Sequence, residues 1–66
     1  MHYRIILSCT NPKDEDKYGR DLHMNNFEAA QATMKNLLTG AFDNIIDGYI
    51  IEWWSNNELY YKVEKR

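Results

Sequence analysis

Tyr3, Ile5, Leu7 and Cys9 alternate with His2, Arg4, Ile6 and Ser8. That period of two belongs to a strand with one covered side. Residues 10–17 (Thr-Asn-Pro-Lys-Asp-Glu-Asp-Lys) are polar and begin with the turn-forming pair Asn11-Pro12, which predicts a loop. Leu22 and Met24 then alternate with Asp21 and His23, so residues 18–24 read as a short second strand. If they are loop instead, residues 10–25 form a structureless stretch of a length uncommon in compact domains.

The period next changes to three and four. Phe27, Ala30, Met34, Leu37 and Leu38 share one helical face, while Glu28, Gln31, Lys35 and Asn36 share the other. Asn25 or Asn26 caps the first turn, and Asn25 with Glu28 has capping-box spacing. Gly40 stands where a left-handed residue closes a helix, so the pattern predicts a helix over 26–39. Phe42, Ile45 and Ile46 follow as a plug for the end of the core, and Gly48 permits a bend. Residues 49–54 and 58–64 are two β-rich runs joined through Ser55-Asn56-Asn57. Asparagine tolerates positive φ, so Asn56-Asn57 closes a tight hairpin.

The expected fold is a small two-layer α+β domain of ββαββ order (βαββ if residues 18–24 are loop), spanning 1–66. One helix packs on one face of an antiparallel sheet. A two-residue turn opposes Ser55 to Glu58, Trp54 to Leu59, Trp53 to Tyr60 and Ile50 to Val63. One side of the hairpin then carries Ile50, Glu52, Trp54, Leu59, Tyr61 and Val63. The other carries Tyr49, Ile51, Trp53, Tyr60, Lys62 and Glu64. The first is the more apolar and is expected under the helix. The second is expected to be open, beside Arg4 and Ile6.

Composition sharpens that expectation. Aromatic residues make up 14% of 66 residues and concentrate near the C-terminal end. Each buries roughly 150–250 Å², more than one helix can hide. Tyr49, Ile51, Trp53, Tyr60 and Lys62 are therefore the first candidates for a partner-binding surface. Aromatic side chains offer large contact area with few rotors to fix. The same residues would equally serve cross-strand stabilisation alone, or a self-dimer.

Charge and chemistry narrow the function. The net charge of −2 lacks the basic excess of a nucleic-acid binder. A single cysteine excludes an internal disulfide and fits a reducing compartment. No apolar run approaches a membrane span and no leader pattern opens the chain, so the expected setting is cytoplasmic.

Cys9 falls on the inward phase of its strand, where it reads as a small hydrophobe and not as a nucleophile. Asp14, Glu15, Asp16, Asp21 and His23 lack any metal-ligand spacing, and the glycines make no phosphate cradle. No catalytic residue, cofactor or metal is expected. The residues point to a non-enzymatic protein–protein interaction module. In size and architecture it is like the small bacteriophage and mobile-element proteins that regulate or inhibit host machinery.

The acidic residues Asp14, Glu15, Asp16 and Asp21 are a second candidate surface, able to imitate a nucleic acid before a basic groove. The competing expectations are a single-stranded nucleic-acid binder that stacks bases on the same aromatics and a purely structural homodimer.

Overall fold

The computed structural model describes residues 1–40 and 42–65 and, at 42 and 43, the backbone alone. The elements are β1 (Tyr3–Cys9), α1 (Pro12–Tyr18), β2 (Arg20–Met24), α2 (Phe27–Thr39), α3 (Phe42–Ile45), β3 (Tyr49–Ser55) and β4 (Glu58–Lys65). The strands form one antiparallel sheet in the order β2-β1-β3-β4. This is the expected α+β architecture, with β2 present as a strand and a helix packed on one face of the sheet.

Three local expectations hold. Asn26 caps α2, its Oδ1 accepting from the backbone N–H groups of Glu28 and Ala29 at 2.7 and 3.2 Å, so the cap is Asn26 and not Asn25. Ala30 and Met34 are buried along the expected face, while Phe27 and Leu38 at its two ends stay exposed. Asn56 and Asn57 take φ of 49° and 71°, the left-handed pair that lets a two-residue turn follow the twist of the flanking strands. The turn is also fixed to β1: Asn56 donates its backbone N–H to the His2 carbonyl at 2.9 Å, and its Oδ1 accepts from the His2 N–H at 3.0 Å.

Two local expectations fail. Residues 12–18 are helix, where the pattern predicts loop to Lys17 and strand from Tyr18. Asn11 caps α1 by accepting from the Lys13 N–H at 2.9 Å, Pro12 occupies the first turn, and Asp14 and Glu15 lie where the helix dipole favours acids. Gly40 is extended (φ −71°, ψ 172°), so α2 ends without a left-handed residue. In the crossing that follows, Ile46 is buried and Ile45 is exposed, so the expected plug is Ile46. The side chain of Phe42 lies outside the described residues.

The larger correction concerns the faces of the hairpin. Ser55 opposes Glu58 and Trp54 opposes Leu59, but Trp53 opposes Tyr61 and Ile51 opposes Val63. A β-bulge between those pairs makes Tyr60 an extra residue. Beyond it the phase of β4 is shifted by one. Val63 joins the side of Ile51, while Lys62 and Glu64 join that of Glu52 and Ile50. On β1, Tyr3, Ile5 and Leu7 oppose Ser55, Trp53 and Ile51.

The side carrying Tyr49, Ile51 and Trp53 is thereby the apolar one, and α2 covers it. Tyr3, Ile5, Leu7, Ala30, Met34, Tyr49, Ile51 and Trp53 form the core, with Leu22, Met24, Leu37 and Val63 packed against it. Tyr49, Ile51 and Trp53 were expected in the open and are enclosed instead. Arg4 and Ile6 do lie on the uncovered face, with Glu52 and Trp54.

Gly48 positions the start of β3. Its carbonyl accepts from the Thr10 N–H at 3.1 Å. A Cβ at this position would stand 2.8 Å from Thr10 Oγ1 and 3.1 Å from the Lys65 carbonyl oxygen. Gly48→Ala is therefore expected to cost about 1–3 kcal/mol through overpacking, read from the midpoint of urea unfolding at unchanged slope.

Candidate functional site

The helix α2 lies over β1 and β2, so the far half of the sheet carries less cover. The outer strand β4 shows this directly: from Glu58 to Lys62 every residue is exposed. β4 ends the sheet, with β3 as its neighbour on one side. A sheet edge is a template onto which another strand can add.

The bulge sets an aromatic ledge on this edge. Tyr60 meets the ring of Trp53 edge-on at 4.7 Å between centroids and that of Phe27 at 6.4 Å, and Phe27 lies 5.3 Å from Trp53. Trp53 is 5% exposed, whereas Tyr60 is 60% exposed. The buried indole thus holds an outward-facing phenol in place. Phe27, Leu59 and Tyr61 add exposed apolar surface. An open groove of about 310 Å³ runs beside them, lined by Met1, Ser55, Asn56, Glu58, Leu59 and Tyr60.

The expected partner-binding residues are therefore divided. Tyr60 and Lys62 are exposed on β4; Tyr49, Ile51 and Trp53 are core, and only Trp53 touches the ledge, from beneath. Phe27, Leu59 and Tyr61 were not among the candidates. The sequence pattern places Phe27 on the buried helix face, and Leu59 and Tyr61 on the covered side of the hairpin.

The acidic candidates are dispersed over the fold. Asp14, Glu15 and Asp16 lie on α1, and a Glu15 carboxylate oxygen accepts the Cys9 backbone N–H. Asp21 stands on β2 and belongs to a polar cluster on the uncovered sheet face. Arg4 grips it with two bonds, Nε to Oδ1 at 2.8 Å and a terminal nitrogen to Oδ2 at 2.6 Å. His23 Nε2 lies 3.2 Å from the same Oδ1. His23 Nδ1 and His2 Nε2 are 2.9 Å apart, in one hydrogen bond. With Trp54, Asn56 and Asn57, these two histidines and Arg4 line a shallow depression of about 140 Å³.

That volume is below the roughly 300–1,000 Å³ of small-molecule sites. Sequence distance hid this cluster, since His2 and His23 are 21 positions apart and only the β1–β2 register joins them. Among the described residues, no three His, Cys, Asp or Glu side chains converge as a metal site.

The hydrogen bonds from Arg4 are the main reason that the Asp21 carboxyl titrates below the usual aspartate range. A carboxyl whose folded pKa is depressed stabilises the fold above its unfolded pKa, and that contribution fades as the pH falls through the folded one. The stability advantage of the natural chain over Asp21→Asn is therefore expected at neutral pH. It should shrink on acidification below about pH 4, as read by urea unfolding across pH. At Cys9, burial first and then the carboxylates of Glu15 and Asp14 push the thiol pKa up, the direction that suppresses the nucleophilic thiolate.

No described helix is long and apolar enough to cross a membrane. No protein-family model, curated protein or solved structure matches the chain.

Proposed function

We propose that this chain is a non-enzymatic protein–protein interaction module that docks through its outer strand β4 and the aromatic ledge above it. The observation that carries the reading is the pairing of an exposed edge strand with an exposed ring seated on the core. Strand addition supplies backbone hydrogen bonds, and the Phe27–Tyr60 ledge with its flanking groove supplies side-chain recognition. Tyr60 already rests on Trp53 in the single chain, which lowers the order that docking has to impose.

Protein is a better match than nucleic acid for this surface. Stacking platforms rely on cations to neutralise phosphates, and on β4 Lys62 and Lys65 alternate with Glu58 and Glu64. The chain as a whole carries −2. The raised thiol pKa of Cys9 agrees with a module that binds without catalysis.

The test is capture of binding proteins by the natural chain and by a Tyr60→Ser, Tyr61→Ser variant whose circular dichroism is unchanged. Loss of the captured species with the variant supports the reading. Equal capture by both removes β4 from the function, and oligonucleotide binding that weakens steeply with salt replaces protein by nucleic acid.

A further inference from the structure

We infer that the strand added to β4 is the β4 of a second copy of this chain, paired antiparallel about a two-fold axis at Val63. The inference rests on the reading of β4 as the docking edge and adds the identity of the partner.

The register follows from geometry and charge. When two identical edge strands extend one sheet, the two-fold axis stands perpendicular to it, and directly opposed residues share a face. The axis must therefore pass midway between the two copies of one residue. The bulge at Tyr60 breaks the alternation of β4, which confines regular pairing to the stretch from Tyr61 to Lys65. An axis at Tyr61 would set Lys62 against the bulge. Axes at Lys62, Glu64 or Lys65 would each place a charge directly against its own copy.

At Val63 the conflict disappears. Lys62 of each copy opposes Glu64 of the other, twice over, on the uncovered face. Val63 meets Val63 and Tyr61 opposes Lys65, whose ammonium already stands 6.0 Å from the centroid of the Tyr49 ring of its own chain, on the helix-bearing face. Val63 is half-buried in the single chain and would be enclosed by its own copy. The alternation of signs along residues 62–65 is thus self-complementary in one register among those that the bulge permits.

Sedimentation across a concentration series tests this with Lys62→Glu and Glu64→Lys. Each reversal turns two opposite-sign contacts into two like-sign contacts and should weaken self-association on the order of tenfold or more. Mixing the two variants in equal amounts sets each reversed position against the other and should restore the dimer, an outcome that damage to the fold would not produce. Lys62 also faces Glu52 across the hairpin, so its reversal carries a risk to folding. The natural chain therefore supplies an independent readout: exchange of the β4 backbone amides should slow as protein concentration rises.

A natural chain that stays monomeric with concentration-independent exchange, or a mixture no more associated than its components, overturns self-pairing. The broader reading of β4 survives that result if capture still depends on Tyr60 and Tyr61, and falls separately if it does not.

Discussion

Trp53→Ala is expected to destabilise the fold by about 3–5 kcal/mol, the largest loss of any single truncation, whereas Tyr60→Ala costs no more than about 1 kcal/mol. A domain of this length holds roughly 3–10 kcal/mol in total, so the first variant is partly or wholly unfolded at room temperature and the second is folded. The indole joins the sheet to the helix and carries Tyr3, Phe27 and Tyr60 against its ring, at 6.3, 5.3 and 4.7 Å between centroids. Its N–H is enclosed without a hydrogen-bond partner, which itself costs about 1–3 kcal/mol. Trp53→Phe removes that orphan donor while keeping a ring, and should be markedly milder than alanine. Urea unfolding of the three variants gives the ordering directly.

Ile5→Ala is expected to cost about 2–5 kcal/mol, close behind. Ile5 is 0% exposed and sits on an inner strand, opposed by Leu22 of β2 on one side and Trp53 of β3 on the other. Both flanking strands and α2 close over it, so the cavity has little room to collapse. Ile6→Ala, one residue on and half-buried on the uncovered face, should cost clearly less. A matched pair of melts with equal slopes tests whether the two sides of β1 differ as their burial does.

Most of the fold was legible because each segment kept one period. β1 alternates, α2 steps by three and four, and Asn56-Asn57 announces a tight turn. The helix α1 is an element the pattern misses, because Asn-Pro followed by acids starts a helix as readily as it makes a turn. The face assignment failed for a narrower reason. Its cause is a single extra residue at Tyr60, and bulges carry no reliable mark when no glycine is present.

Trp53 and Trp54 are the same residue type, so pattern reading could not tell which was in and which was out; Tyr60 and Tyr61 are both exposed, and the pattern could not tell which of them opposes Trp53. Once the shift is included, Val63 moves to the side of Ile51 and the two charges move away. The choice of core face then follows from hydrophobicity alone. For the site, Tyr60 and Lys62 are exposed as the pattern predicts, but Tyr60 stands against Phe27 of α2 and not on the open face. Phe27 required the position of α2 over β1 and β2, and the His2–His23–Asp21–Arg4 cluster required the β1–β2 register.

The neighbouring tryptophans offer the most direct test of the arrangement on which the docking surface depends. Proton–proton contacts in an NMR spectrum should join the Trp53 indole to the rings of Phe27 and Tyr60 and to Met34, and the Trp54 indole to Arg4 on the opposite face. Contacts from Trp54 to Phe27 and Met34, with Trp53 turned to solvent, would reverse the sheet and remove the ledge on β4.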